Sequence, residues 1–104
     1  MSRNGLTGAV PVCFIYINPR TPLADNAAAL LSLLDQLDGM EAAVVPVSAS
    51  HTAILHSVRL ALPELTARRL EQIQFLYIGD NANRRAMEAM ASESRMRFAY
   101  HALY

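Results

Sequence analysis

Few side chains in this chain stand where chemistry could begin. Asp80 follows the apolar run Phe75–Ile78 and a glycine, so it would sit at the carboxyl end of a strand and the head of a helix. A phosphoacceptor or a metal ligand occupies such a place in parallel α/β domains. Thr21, Ser48 and Ser50 mark other strand-to-helix turns, where hydroxyls and free helix amides together can hold an anion. A magnesium-dependent acceptor also needs clustered carboxylates after the first strand, and Ile17-Asn18-Pro19 stands there instead. Asp35 and Asp38 share a helix edge, but without a nearby histidine they read as a solvated face rather than a catalytic pair. His51 and His56 are five apart, which is not the spacing of metal ligands on one helix face, and they read as surface or boundary residues. The lone Cys13 lies inside an apolar strand, away from any helix N-terminus, and reads as a small buried hydrophobe. These residues predict no catalytic group, no metal site and no cofactor.

The elements that position these residues follow from the apolar pattern. Val10–Ile17 is β-branched and aromatic and predicts a strand, with Pro11 suited to its first residue or to an edge. Thr21-Pro22 predicts a cap and first turn for a helix reaching about Asp38, whose stripe is Leu23, Ala27, Leu30, Leu34 and Leu37, widened by Leu31 and Leu33. Gly39 closes it. Ala42–Val47 predicts a second strand parallel to the first, near an edge because of Pro46. Ser48-Ala49-Ser50 offers caps for a second helix carrying Ile54, Leu55, Val58, Ala61 and Leu62. Ile73–Ile78 is a strand without alternation, which predicts cover on both of its faces. Asp80 or Asn81 caps a helix to Ser94, with Ala82, Ala86, Met87, Met90 and Ala91 inward. The tail Met96–Tyr104 places Phe98, Tyr100 and Tyr104 on one side, as an edge strand or an aromatic flap.

Composition bounds the function. A chain of 104 residues makes one domain, 1–104, and the small polar residues 1–9 predict a flexible leader. Apolar residues are 53% and charged residues 17%, a surplus that predicts an apolar contact face. Net charge is zero, which argues against nucleic acid and anionic membrane as partners. The arginine pairs Arg68-Arg69 and Arg84-Arg85 read as solvated faces. One cysteine excludes an internal disulfide, and no signal peptide or membrane segment is legible, so a cytoplasmic location is expected.

Pro63 divides two folds. Glu64–Glu71 resumes a helix on propensity, giving a flavodoxin- or receiver-like βαβαβαβ order with all strands parallel. Alternatively the chain bends at Leu62-Pro63, with a cis bond, into a short antiparallel strand carrying Leu65, Ala67 and Leu70, giving the thioredoxin-like βαβ-ββα order.

Three motifs bear on that choice. Tyr16 with Thr21-Pro22, Leu60-Ala61-Leu62-Pro63-Glu64-Leu65, and Ile78-Gly79-Asp80 with Asn83-Arg84 occur in the order found in the thioredoxin-like KaiB family of bacterial clock proteins, which the chain resembles over nearly its whole length. The resemblance implies a single-domain thioredoxin-like βαβ-ββα fold with an extra C-terminal strand, Pro63 cis, and no redox chemistry, because Asn18-Pro19-Arg20-Thr21 replaces the thiols. It further implies a non-catalytic regulatory module that docks on another protein, such as a KaiC-like ATPase or a signalling kinase, or on further copies of itself as a homo-oligomer. Its candidate contact residues are Asn18, Arg20, Thr21, Pro63, Asp80, Asn81, Arg84 and Tyr100. The runner-up is a degenerate receiver- or flavodoxin-like domain that binds a small ligand or phosphate.

Overall fold

Four strands alternate with three helices in a computed structural model that describes residues 10–102: β1 (Val12–Tyr16), α1 (Leu23–Gln36), β2 (Ala42–Val47), α2 (His51–Leu65), β3 (Ile73–Gly79), α3 (Arg84–Glu93) and β4 (Arg97–Ala102). The strands form one sheet in the order β1-β2-β3-β4, and every neighbouring pair is parallel. The expected leader 1–9, and Tyr104 of the expected aromatic row, lie outside the described residues.

Each crossover joins adjacent strands and steps the same way across the sheet. A right-handed connection then places every helix on one side. In keeping with this, α1 packs on α2 and α2 on α3, over the strands, around one core. Val44, Phe75, Tyr77, Leu30, Leu34, Ile54 and Met87 form its centre and are essentially inaccessible to solvent. Gly39, at φ +76°, turns the chain out of α1 in a conformation that side-chain-bearing residues seldom adopt.

Three expectations are corrected here. The first is the bend at Pro63. Helix α2 runs through Pro63 to Leu65, no described peptide bond is cis, and Glu64–Leu70 is helix end and turn instead of an antiparallel strand. Proline withholds a donor from the Arg59 carbonyl, and inside a helix this costs about 3 kcal/mol. Ile54, Val58, Ala61 and Leu65 recur at helical spacing and are all buried, so a break at Pro63 would withdraw Leu65 from the core. Their burial outweighs the missing bond, and the helix stops two residues later. Among the described residues the all-parallel sheet therefore fits the flavodoxin- or receiver-like alternative and shows no antiparallel pair of the kind the thioredoxin-like order requires.

The second correction concerns β3. It was expected to be covered on both faces, yet its burial alternates along the strand, with Ile73, Phe75 and Tyr77 sealed and Gln74 exposed. The third is the start of α1, whose cap position is Pro22 and not Thr21, with no side-chain cap. Of the inward residues expected on the three helices, Leu23 and Ala82 are exposed, and Leu31, Leu33, Leu55, Leu62 and Ala86 are only half-buried. The tail is a strand, β4, paired with β3 along its length.

Charged residues fasten the end of the sheet where α1 and α2 terminate. Asp35 pairs with Arg68, and Asp38 accepts from the Arg69 backbone amide at 2.8 Å and its guanidinium at 3.3 Å. Arg95 reaches Glu71 at 3.3 Å and the Arg68 carbonyl at 2.8 Å. The aspartates and arginines read from sequence as solvated faces thus tie helix ends to the connection before β3.

Candidate functional site

The carboxyl ends of the parallel strands carry the polar and aromatic residues of interest, which is where ligands usually meet an open α/β sheet. Asp80, just past β3, accepts three bonds on one oxygen: from the Tyr77 hydroxyl at 3.2 Å, the Asn83 amide at 3.2 Å and the Asn83 side chain at 3.0 Å. Asp80 therefore caps the turn that leads into α3, but the cap position of the helix itself is Asn83, without a side-chain cap, and not Asp80 or Asn81 as expected. The Tyr77 ring is buried between His51, edge-on at 5.8 Å, and Tyr100 at 6.0 Å. Burial and the nearby Asp80 charge push the Tyr77 hydroxyl up to about 12, so it stays protonated at neutral pH. Tyr100 donates to the Gly79 carbonyl at 3.1 Å, and the Arg84 guanidinium lies 5.3 Å over the Tyr100 ring.

Gly79 is required where it stands. A Cβ there would come within 2.6 Å of the Tyr77 hydroxyl and 2.9 Å of His51 Nδ1. That nitrogen is buried and finds no hydrogen-bond partner among the described residues. Ser50 caps α2 as expected, its hydroxyl accepting from the Ala53 amide at 3.2 Å, and the Ser48 hydroxyl accepts from Ser50.

Beside this cluster the sheet loses a ladder bond. In β2 the even-numbered residues turn their amides toward β3, as Ala42 does to the Gln72 carbonyl. Pro46 has no amide to give the Leu76 carbonyl, and the register between β2 and β3 stops at Val44 and Phe75. A cavity of about 350 Å³ lies over the stretch beyond, lined by Phe14, Val45, Pro46, Val47, Ser48, Ala49, His51 and Ile78.

The larger feature is the sheet face opposite the helices. Val12, Phe14 and Tyr16 on β1 and Val47 on β2 project there with exposures of 55%, 69%, 62% and 45%. Leu76 and Ile78 continue the patch half-buried, and Val45 at its middle is buried but stands apart from the helix-side core. Its polar members are Gln74, Arg97 and His101 at the β3–β4 side. Among the described residues no helix covers this face.

The expected contact residues do not form one site. Asp80, Asn81, Arg84 and Tyr100 come together after β3, while Asn18, Arg20 and Thr21 share the same edge of the sheet in the turn after β1. Asn18 is engaged locally, exchanging bonds with the buried Asn26 side chain at 2.8 and 3.3 Å and accepting from the Arg20 amide at 2.9 Å. Pro63 is exposed near the end of α2, which runs back toward the other end of the sheet. None of Phe14, Tyr16, Val47 and His51 was among the expected contact residues: Tyr16 entered only as part of a motif and His51 only as a surface or boundary residue. The only available signals were the consecutive apolar residues of β1 and a proline inside β2. Cys13 is half-buried against the core.

Among the described residues no group of three or more His, Cys, Asp or Glu side chains is placed to hold a metal, and no helix is long and apolar enough to cross a membrane. No known family pattern, no curated protein and no solved structure matches the chain.

Proposed function

We propose that this domain is a non-catalytic protein-interaction module that docks through the uncovered face of its sheet. One observation carries the reading: among the described residues a wholly parallel sheet has helices on one face only, and its other face presents Val12, Phe14, Tyr16 and Val47 to solvent. Parallel sheets are almost always covered on both faces, because their strands are apolar throughout. An apolar patch of this kind on a soluble domain marks an interaction site. The low charge content and neutral net charge favour an apolar contact over an electrostatic one.

The resemblance to KaiB-like proteins supports the same class of role, with a KaiC-like ATPase, a signalling kinase or a second copy of the chain as partners to test. Docking on the sheet does not depend on a thioredoxin-like strand order. The cluster after β3 is bonded within itself: one Asp80 oxygen accepts from Tyr77 and Asn83, and the Tyr100 hydroxyl donates to the Gly79 carbonyl.

Site-specific photo-cross-linking in source cells tests this. A benzophenone side chain at Phe14 is expected to give one discrete adduct, whose mass separates a second copy from an unlike protein, and the same group at the exposed Glu88 on α3 is expected to give none. Labelling that is absent at Phe14, or equal at the two positions, overturns the docking surface.

A further inference from the structure

The cavity at the carboxyl end of β2 has a construction that docking alone does not explain. It lies where Pro46 ends the β2–β3 pairing, so backbone that would otherwise be zipped into the sheet is left at its wall. Its volume of about 350 Å³ falls within the range of small-molecule sites, roughly 300–1,000 Å³. Six of its lining residues have hydrocarbon side chains: Phe14, Val45, Pro46, Val47, Ala49 and Ile78. Its polar side chains are those of Ser48 and His51, which lie close together in sequence just past β2.

We propose that this cavity binds a small, uncharged aromatic molecule carrying one hydrogen-bonding group, of the phenol or indole class. The ring packs against Phe14, Val47 and Ile78. The polar group meets Ser48 and His51. Among the described residues no carboxylate, lysine or arginine lines the cavity, so they offer no counter-charge to an ionised ligand, and burying an unpaired charge there would be costly. A purely aliphatic ligand would leave those polar side chains without a ligand group to bond. This inference goes beyond the docking reading, because occupancy is measured on the purified chain with no partner present.

The test is amide-shift mapping of the full chain titrated separately with 4-methylphenol, indole and toluene. Saturable shifts are expected at Phe14, Val45, Val47–His51 and Ile78, with 4-methylphenol about five- to tenfold tighter than toluene, the worth of roughly one net hydrogen bond. Val47 is half-exposed, so Val47→Trp should fold and abolish saturation by filling the cavity, while Ser48→Ala should erase most of the preference for 4-methylphenol over toluene. No saturable shift with any of the three compounds overturns the proposal. So do shifts centred on the separate groove between α1 and α2 at Ala24, Leu31 and Leu60, or unchanged affinity in a folded Val47→Trp. Should Val47→Trp not fold, Ser48→Ala decides, and an unaltered preference overturns the assigned orientation and with it the site.

Discussion

The two faces of the sheet are made from the same strands and are apolar on both sides, yet only one is a core. On the helix side, Ile15, Val44, Phe75 and Tyr77 are buried under α1, α2 and α3. On the other side, Val12, Phe14 and Tyr16 hold comparable hydrocarbon area in solvent. Residues two apart on a strand point the same way and neighbours point oppositely, so Phe14 and Ile15 differ in fate by a single step along β1. Hydrophobicity in sequence states what a side chain prefers. Topology states what it receives, and three same-handed crossovers between adjacent strands supply cover to one face alone.

Truncating one large aromatic on each face breaks this comparison most directly. Phe75→Ala removes a fully buried ring and should cost about 3–5 kcal/mol, through lost transfer free energy and the cavity left behind. Phe14→Ala removes a mostly exposed ring and should stay within about 0.5 kcal/mol in the isolated chain. Urea unfolding of both variants measures the gap. A Phe14→Ala cost approaching that of Phe75→Ala would mean that the open face is covered within the chain itself.

The same contrast shows which parts of the fold were legible. Element identities were readable because each apolar run had strand length and each helix carried periodic leucines, methionines or alanines between Ser, Pro and Gly punctuation. The number of covered faces was not, since a run such as Val12-Cys13-Phe14-Ile15-Tyr16 is apolar whether its outer face meets a helix, a partner or water. Pro63 misled because a local rule against proline in helices competes with the burial of Leu65, and only the packed core decides between them. At the candidate site, Asp80, Arg84 and Tyr100 were named from their turn and their tail, and the structure brings them together without testing what they do. His51 was missed, because what makes it notable is contact with Tyr77 and Gly79 on a distant strand. The pairings of Asp35 and Asp38 with Arg68 and Arg69 were hidden for the same reason.

A smaller effect sharpens the comparison at the rim where the two faces meet. Gly79→Ala forces a methyl group to within 3 Å of the Tyr77 hydroxyl and His51 Nδ1, and overpacking of this kind should cost about 1–3 kcal/mol. Adding His51→Ala removes one of the two obstructing side chains. The double variant should therefore lose less stability than the sum of the single changes, because the two sites share a contact. Strict additivity in thermal or urea unfolding would show that His51 does not press on Gly79.

The smallest effect lies at the opposite end of the sheet and belongs to neither face. The Arg69 amide, donating to Asp38, holds that carboxyl below its ordinary value of 3.8, with the Arg69 guanidinium helping in the same direction. A carboxyl whose folded pKa is depressed stabilises the fold above its unfolded value, and that contribution is lost as pH falls through the lower, folded value. Asp38→Asn should therefore narrow the stability gap to the parent protein only on acidification below 3.8, and leave it constant at neutral pH. Because Asp38 is solvated, salt should shrink the gap at every pH where the carboxylate is charged. The checking measurement is the urea midpoint of parent and variant across the acid range at two ionic strengths. A gap that ignores both pH and salt would assign the role of Asp38 to shape alone, and would leave the helix-end connection held by backbone geometry instead of charge.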